Sequence, residues 1–323
     1  MSKEFILPIK VIFIYSRVLK INKLIFALEV FQDFLKSSAY KVLFSNYLNS
    51  TKYSFVVTCC YYDSIQMGLI SAAHSKNIIT FDIQHGKQGP DHLMYCNLPN
   101  YINYALDSIP DYFLTWGNTF TENILRNAPS RNYHKPITVG NLWVDYAYKY
   151  YKSEVNHELI KNNKKVLVSL QDEVTYDFVI PEFIEEIIQE SPSLQWIFKP
   201  HPNYPNTYNF IKDFVGKYSN CDIFDDLMLP SIYSFLHLCD FHISSYSTVV
   251  HESIYFGIPS GVWSKRGFSS FRYEIQERDV FKLSCKPDVY RFLEQKKLKL
   301  PNQKYFAHPS KNEFSDFITK LNQ

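Results

Sequence analysis

The chain has 323 residues, enough for two ordinary domains that each bury a core of their own. Its 34 basic and 32 acidic side chains leave a formal net charge of +2, which argues against a nucleic-acid-binding surface and against an acidic tail. A hydrophobic content of 46% predicts a folded globule. The six cysteines form no CxxC pair and no zinc-type spacing with histidine, so we expect reduced thiols, a cytoplasmic setting and no metal site.

The N-terminal segment FILPIKVIFIYSRVLKINKLIFALEVF is apolar, yet Lys10, Arg17, Lys20 and Lys23 interrupt it. These charges come before the roughly 20 apolar residues that a membrane-spanning helix needs. The segment also lacks a signal-peptide cleavage pattern. We expect a core strand followed by an amphipathic helix. The alternative is a basic surface that rests on anionic lipid at the cytoplasmic face of the inner membrane.

The chain that follows alternates strand-like and helix-like patterns. Runs rich in β-branched and aromatic residues predict strands, and apolar residues at helical spacing predict the helices between them. In the first half the predicted strands are 53–60, 78–86, 111–117 and 137–141, and the predicted helices are 64–77 and 118–127. Strand–helix–strand order at this spacing predicts a parallel sheet.

A polar stretch, KYYKSEVNHELIKNNKK, predicts the connection between two domains. After it, the predicted strands are 165–171, 194–203, 221–226, 240–245 and 260–263, and the predicted helices are 180–191, 230–239 and 247–257. We therefore expect an α/β protein with two Rossmann-like domains that face each other across a cleft. The predicted domains are residues 1–150 and 151–323, and the helical spacing of EFSDFITKLNQ predicts a last helix that crosses back to the first domain.

One candidate site lies in FHISSYSTVVHESIYFG, where a short strand ends and a helix begins. Its hydroxyl residues are typical helix caps, and capping alone is one interpretation of Ser244, Ser245, Ser247 and Thr248. The other interpretation is a phosphate site, because a helix N-terminus at the carboxyl end of a strand offers N–H groups to an anion. Glu252 follows on the helix face that Thr248 occupies, where a carboxylate suits a ribose hydroxyl.

A second candidate site is FKPHPN, residues 198–203, which ends the neighbouring predicted strand. Proline cannot continue a strand ladder, so we expect Lys199 and His201 at the carboxyl end of the strand, where open α/β sheets bind ligands. We predict that both side chains contribute to the donor site. A turn histidine that caps the next helix is the alternative for His201.

A third candidate site is QHGKQG in the first half of the chain. It places His85 between the end of a predicted strand and a glycine turn. An imidazole is the side chain best suited to proton transfer near neutral pH, so we predict that His85 is a general base. A purely structural turn is the alternative.

Together, QHG, IPDYFLTWG, ITVGN, KPHPN and SSYSTVVHESIYFGIP resemble segments of bacterial GT-B glycosyltransferases of surface polysaccharide synthesis, over about residues 54–263. The chain is similar to capsule and lipopolysaccharide transferases, and to bacterial sialyl- and polysialyltransferases, which carry a His-Pro motif and a later serine motif. It also resembles teichoic-acid glycerophosphotransferases, which have Asp-Tyr-Ser-Ser where this chain has Ser245-Tyr246-Ser247-Thr248. The acidic motif that supplies the base in several sialyltransferases is absent from the sequence.

The resemblance implies a transferase that moves a sugar from a nucleotide-activated donor to a hydroxyl of a glycan or lipid-linked glycan, with inversion and without a cofactor. The lack of a DxD motif predicts that no metal ion is required. By the same analogy His201, Ser247 and Thr248 hold the donor phosphate, Glu252 lies near the ribose, and His85 is the base.

Other functions remain as alternatives at this point. They are a glycerophosphotransferase, a nucleotide-sugar epimerase or hydrolase, and a non-catalytic nucleotide-sugar binder. The UDP-N-acetylglucosamine 2-epimerases carry Asp-Ser-Gly-Gly and Glu-Glu where this chain has Ser245-Tyr246-Ser247-Thr248 and His251-Glu252. A dispensable His85 would separate the binder from the enzymes.

Overall fold

The computed structural model describes residues 23–50, 52–87, 89, 92, 94–96, 106–127, 134–151, 163–171, 180–201, 205–224, 231–298, 303–307 and 311–321. The chain divides into two compact units. The first runs up to Val139 and also includes the C-terminal helix, and the second runs from Gly140 to Pro309. Each unit is an α/β structure with a parallel sheet, which confirms the predicted fold class.

The first unit has a four-stranded parallel sheet in the order β1-β2-β3-β4. Its elements are α1 Lys23–Asn49, β1 Phe55–Cys59, α2 Ser64–His74, β2 Ile79–Ile83, β3 Tyr112–Thr115, α3 Asn118–Asn127 and β4 Lys135–Thr138. Burial alternates along β1, as expected of a strand at the edge of the sheet. Asp63 fixes the start of α2, because its carboxylate accepts from the backbone N–H groups of Ile65 and Gln66.

The predicted elements of the first unit are confirmed, although all four strands and the first helix differ from the prediction at one or both ends. The predicted helix 64–77 stops at His74, because Asn77 has a left-handed backbone (φ 57°), a conformation that ends helices. The predicted strand 137–141 begins earlier, at Lys135, and ends at Thr138. The predicted helix 118–127 coincides with α3.

The second unit has a six-stranded parallel sheet in the order β10-β9-β8-β5-β6-β7. Its elements are α4 Leu142–Tyr150, β5 Lys165–Ser169, α5 Glu182–Glu190, β6 Gln195–Lys199, α6 Pro205–Val215, β7 Cys221–Ile223, α7 Ile232–Leu236, β8 Phe241–Ser244, α8 Val249–Tyr255, β9 Ser260–Val262, α9 Lys265–Ser270, α10 Arg272–Gln276, β10 Val280–Lys282 and α11 Lys286–Leu293. This is the strand order of a Rossmann fold, in which the chain direction across the sheet reverses between β5 and β8.

Apolar side chains from the sheet and from α5 form the core of the second unit. Every residue of the central strand β5 is buried. The helix α5 presents Ile184, Ile187 and Ile188, which are spaced three and four positions apart and pack on the sheet beside Trp196 and Phe198. Full burial of one such side chain contributes about 1.5–3 kcal/mol, so this layer stabilises the strands whose ends carry the candidate site.

The helix α4 was not predicted from the sequence. The predicted linker starts at Lys149, inside the last turn of α4, and most of its remaining residues lie outside the described ranges. Asn141 caps α4 by accepting from the N–H groups of Trp143 and Val144. The carboxylate of Asp145 accepts a hydrogen bond at 3.0 Å from the hydroxyl of Tyr255 in α8, so α4 belongs to the second unit. The division at Val139 and Gly140 therefore falls before the predicted boundary at residue 150.

The last helix, α12 Lys311–Leu321, belongs to the first unit. The ring of Phe317 packs edge-on against Tyr112 of β3 and Phe81 of β2, with centroid distances of 5.2 and 6.4 Å. Among the described residues, no helix has both the length and the apolar character that spanning a bilayer requires. The predicted N-terminal strand falls in residues 1–22, outside the described ranges.

Candidate functional site

The carboxyl edge of the second sheet carries the predicted donor-binding residues. Ser169, the last residue of β5, pairs in register with Ser244 of β8 on one side and with Lys199 of β6 on the other. These three residues therefore line up at the point where the strand order reverses. Open α/β sheets bind ligands in the crevice at that switch point.

The turn between β8 and α8 is held by the side chains of its own serines. The hydroxyl of Ser244 donates to the carbonyl of Ser169 at 2.7 Å and accepts from the N–H of Ser247 at 3.0 Å. The hydroxyl of Ser247 accepts from the N–H of Val249 at 3.3 Å. Both serines are buried. Their hydroxyls therefore hold the backbone of the turn in place. The sequence alone did not separate this role from helix capping or from ligand binding.

The other side of this turn packs against α9. The hydroxyl of Ser264 donates to the carbonyl of Ser245 at 2.7 Å and accepts from the N–H of Gly267 at 2.8 Å. A β-carbon at Gly267 would lie 2.0 Å from the Ser245 carbonyl oxygen, so only glycine allows this close approach. Gly267, the third residue of α9, was not predicted from the sequence, because its close approach to Ser245 depends on the packing of two separate segments.

Arg266 is a cation beside the turn that sequence reasoning also missed. Its guanidinium carbon lies 4.2 Å from the centre of the Tyr246 ring, a cation–π distance. Arg266 is exposed, and it follows β9 at the same edge of the sheet as the serine turn. A guanidinium is the side chain best suited to bidentate binding of phosphate.

Thr248 and Glu252 are the partly exposed members of the predicted set. Thr248 precedes α8 with helical backbone angles and makes no side-chain capping bond. The carboxylate of Glu252 accepts a hydrogen bond from the Tyr233 hydroxyl at 3.1 Å. Burial raises the pKa of Glu252 to about 7. A carboxyl group whose pKa is raised by burial at the edge of a sheet is a candidate binding-site residue.

An aromatic wall lies beside Glu252. The Tyr233 ring stacks on Phe256 with centroids 6.0 Å apart and meets the edge of Trp143 at 6.1 Å. Trp143, on α4, is 53% exposed. The exposed Trp143 ring, backed by the buried rings of Tyr233 and Phe256, suits a nucleoside, which has a flat base and hydroxyl donors.

Strand β6 ends at Lys199, as predicted from FKPHPN. The Lys199 ammonium lies 4.7 Å from the centre of the Phe224 ring. Burial and then the charge of Lys199 lower the pKa of His201, which is half-buried. Both side chains belong to the loop that leaves the strand next to β5. Pro202 and Asn203 lie outside the described residues.

A buried network of polar side chains links the strands at the carboxyl edge of the second sheet. The Nε2 atom of His242 lies 2.7 Å from the Ser169 hydroxyl, and its Nδ1 atom lies 3.3 Å from the Ser260 hydroxyl. Burial lowers the pKa of His242 to about 3, so the imidazole is neutral and links β5, β8 and β9 without a buried charge. His251, next to Glu252 in sequence, is buried and lies 3.1 Å from the Glu274 carboxylate.

In the first unit, His85 follows the carboxyl end of β2. Its neighbour Gln84 is buried and holds the chain on both sides, because it accepts from the N–H of Trp116 at 2.8 Å and donates to the carbonyl of Gly86 at 2.9 Å. The His85 Nε2 atom lies 3.5 Å from the Tyr62 hydroxyl. Partial burial lowers the pKa of His85.

Two cysteines lie next to His85. The sulfur atoms of Cys59 and Cys60 and a ring nitrogen of His85 all lie within 4.8 Å of one another. Burial, and then the neighbouring Cys60, raise the pKa of Cys59 to about 11. This cluster could not be predicted from the sequence, because the two cysteines lie at the end of β1 and the histidine follows β2, and only strand pairing brings them together.

No protein-family model and no curated protein sequence matches the chain. Several solved structures are similar to it. UDP-GlcNAc 2-epimerase from Neisseria meningitidis, bound to UDP-GlcNAc, has a TM-score of 0.62 and 15% identity, covering 88% of this chain and 81% of its own. The UDP-GlcNAc 2-epimerase of Methanocaldococcus jannaschii has a TM-score of 0.60 and 16% identity, with coverage of 88% and 81%. HepE of Anabaena, in complex with UDP, has a TM-score of 0.54 and 10% identity, with coverage of 87% and 82%.

These likenesses establish the fold, which is that of GT-B-type enzymes with two Rossmann-like domains. They match the α/β prediction and its doubled Rossmann architecture. The resemblance to glycosyltransferases in particular stays a prediction, since two of these three neighbours are named as epimerases. The roles of the individual site residues also stay predictions.

Proposed function

We propose that this protein is an enzyme that acts on a nucleotide-activated sugar, and that its second unit binds the nucleotide at the carboxyl edge of β5, β6 and β8. The observation that carries the proposal is the fold, shared over 88% of this chain with a structure that holds UDP-GlcNAc and over 87% with one that holds UDP. One fold hosts many functions, so the site residues must supply the rest.

The nucleoside binds beside the aromatic wall. Glu252 accepts from the ribose hydroxyls, and the Tyr233 hydroxyl, 3.1 Å away, orients the carboxylate. Ribose hydroxyls are hydrogen-bond donors, so they favour the charged form of Glu252 and compensate for its burial. The exposed ring of Trp143 offers an apolar surface for the base.

The phosphates bind at the serine turn. The buried hydroxyls of Ser244 and Ser247 fix its backbone, while Tyr246 and Thr248 are partly exposed in the turn and Arg266, beside it, is exposed. Lys199 and His201 add hydrogen-bond donors from the loop after β6. Ser245 contributes through its carbonyl contact with α9, which holds Arg266 next to the turn.

Two reactions fit this assignment. The neighbours favour epimerisation of UDP-N-acetylglucosamine at C2, in which a base removes the C2 proton while the C1–O bond to UDP breaks, and UDP then adds back to C1 as a proton is delivered to the opposite face of C2. Glycosyl transfer is the second candidate, because Ser245-Tyr246-Ser247-Thr248 stands where those epimerases carry Asp-Ser-Gly-Gly. In transfer, the bond between the sugar and the phosphate breaks while an acceptor hydroxyl bonds to the anomeric carbon and loses its proton. His85 is the proposed base in both.

Proton NMR of UDP-N-acetylglucosamine incubated with the purified protein separates the reactions. An epimerase produces the C2 epimer without an acceptor. A transferase leaves the sugar unchanged until a glycan acceptor is added, and then releases UDP. Absence of both reactions, together with no thermal stabilisation by UDP-, GDP-, CMP-, CDP- or dTDP-linked sugars, would overturn the proposal.

The phosphate assignment has a matched pair of variants. Arg266→Gln removes the cation at the turn and should weaken UDP binding about tenfold or more, since a hydrogen bond to a charged group is worth about 1.5–3 kcal/mol. Arg272→Gln is the control, because Arg272 also stacks on a tyrosine, Tyr273, at 4.6 Å but lies on another helix. Equal affinities of the two variants for UDP would contradict the assignment.

We also propose that the protein associates with the membrane surface through α1. Several apolar side chains of this helix are half exposed or more, and they include Leu28, Phe31, Phe34 and Leu35. The first 23 residues of the sequence carry five basic side chains and one acidic side chain. An apolar helix face next to basic residues favours an anionic lipid surface, where a lipid-linked glycan would be available.

A further inference from the structure

We propose that Cys59, Cys60 and His85 form a binding site for a thiophilic metal ion, with Zn²⁺ as the representative ion. The two sulfur atoms and an imidazole nitrogen already lie within 4.8 Å of one another. In a tetrahedral zinc complex, Zn–S bonds of about 2.3 Å and Zn–N bonds of about 2.0 Å place ligand atoms about 3.5–3.8 Å apart. Small side-chain rotations therefore suffice to close the site. The inference replaces the sequence-based expectation that the chain has no metal site.

The backbone explains how two adjacent cysteines turn toward one ion. Successive side chains of a regular strand point to opposite faces of the sheet. Cys60, directly after β1, has a left-handed backbone with φ 64°, which breaks this alternation. Such a conformation costs a non-glycine residue on the order of 1 kcal/mol and is found most often where the side chain has a function.

The third ligand is held in place by the neighbouring strand. Cys59 pairs in register with Ile83, two residues before His85, so the ends of β1 and β2 meet at one edge of the sheet. Gln84 anchors the chain at His85 through bonds to Trp116 and Gly86. The site is thus built on two paired strands, and its three ligand residues are partly or fully exposed, which gives an ion access from solvent.

The donor set determines the class of ion. Two sulfurs and one imidazole favour Zn²⁺ or Cu⁺ over Mg²⁺ and Ca²⁺, which prefer oxygen ligands. The cysteines bind as thiolates, so their two protons pass to solvent when the ion binds, and the ion takes the imidazole lone pair, so His85 acts as a base only in the metal-free protein. Three protein ligands leave a fourth position for water or for the Tyr62 hydroxyl, which lies 3.5 Å from the His85 Nε2 atom.

Metal binding itself is the readout of the test, so its failure is separate from failure of the nucleotide-sugar proposal. The full chain, reduced and stripped with a chelator, is titrated with Co²⁺ and then with Zn²⁺. We expect one Co²⁺ per chain with a near-ultraviolet sulfur-to-cobalt charge-transfer band, and displacement of that Co²⁺ by Zn²⁺. Cys59→Ser, Cys60→Ser and His85→Asn should each lower the affinity at least about tenfold, and the cysteine variants should roughly halve the band.

Two further variants control for folding and for adventitious thiols. Cys60→Gly suits the left-handed backbone, so it should fold at least as well as the parent while losing Co²⁺ binding. Cys285→Ser removes an exposed cysteine of the second unit and should change neither affinity nor spectrum. Cobalt binding that lacks the sulfur band, or that survives Cys59→Ser and Cys60→Gly unchanged, would overturn the proposal.

Discussion

Glu252 is a carboxyl group whose burial affects stability and which is proposed to bind the ribose. Its pKa is about 7, well above the ordinary carboxyl value of 4.5, because burial disfavours the charged form. Between these two pH values the folded protein keeps a proton that the unfolded chain releases. Stability from this group is therefore present below about pH 4.5 and is lost as the pH rises to about 7. The difference corresponds to on the order of 3 kcal/mol as an upper limit.

Glu252→Gln should remove this pH dependence. The glutamine oxygen still accepts the hydrogen bond from Tyr233, and no charge has to be buried. We expect the variant and the parent to unfold alike at pH 4, and the variant to be more stable by one to a few kcal/mol at pH 8, measured by denaturant unfolding.

The same substitution should weaken UDP binding, because a neutral amide is a poorer acceptor for ribose hydroxyls than a carboxylate. Calorimetric titration with UDP at pH 8 measures this loss. A variant that is less stable than the parent at pH 8, or that binds UDP equally well, would show that Glu252 has only a structural role.

At the scale of elements, α1 is a helix with many apolar side chains that are exposed and do not pack against the rest of the protein. It approaches α2 closely, since a β-carbon at Gly68 would lie 2.6 Å from the Tyr40 β-carbon. Phe44 and Leu48 pack in the same small core. Phe31 and Phe34, on the same helix, are 55% and 65% exposed. A helix that is apolar on several faces normally has each of them covered.

If α1 rests on a membrane, Phe31→Ser combined with Phe34→Ser should reduce sedimentation of the protein with anionic phosphatidylglycerol vesicles severalfold. Loss of two exposed aromatic side chains lowers the apolar area that can enter the interface and leaves the contact with α2 intact. Tyr208→Ser combined with Phe210→Ser on α6 is the control, because it also removes two exposed aromatic side chains, which are 47% and 36% exposed. Equal sedimentation of the two double variants, or a parent that self-associates and ignores vesicles, would exclude the membrane role.

Most helices and strands could be predicted from the sequence, because the spacing of apolar residues and the position of residues that end an element, such as proline, act on nearby residues only. Lys199 ends β6 because the prolines of FKPHPN cannot pair, and α5 follows from the spacing of Ile184, Ile187 and Ile188. The helix α4 was missed because the sequence analysis assigned no element to residues 142–148 and began the linker at Lys149. The helix α4 is stabilised by its capping residue Asn141 and by the hydrogen bond between Tyr255 and Asp145, two residues that are far apart in the sequence.

The site was predictable only as far as strand ends can be read from sequence. The predicted strand ends place residues 244–248 and His85 at the carboxyl edges of their sheets, where the structure also has them. Whether a serine faces a ligand or its own backbone depends on three-dimensional partners, such as the Ser169 carbonyl for Ser244. The approach of Gly267 to Ser245 and the cluster of Cys59, Cys60 and His85 likewise arise from chain segments far apart in sequence.

At the scale of the whole molecule, the proposed chemistry and the proposed binding belong to different units. His85 lies in the first unit, whereas Glu252 and Arg266 lie in the second. Substitutions in the two units should therefore affect different measurements. A residue that transfers a proton changes turnover, and a residue that holds the nucleotide changes affinity.

His85→Asn should leave the affinity for UDP within about twofold of the parent while lowering turnover by about a hundredfold to ten-thousandfold, the usual contribution of a positioned acid or base. Asparagine keeps a polar side chain of similar size but does not titrate near neutral pH. Calorimetry with UDP and the NMR assay with UDP-N-acetylglucosamine are run side by side, with a chelator present so that metal bound at Cys59 and Cys60 does not contribute. Glu252→Gln provides the opposite pattern, with weaker binding of UDP. Full activity of His85→Asn would remove the base assignment, and a loss of UDP affinity equal to that of Glu252→Gln would mean that the division of labour between the two units is wrong.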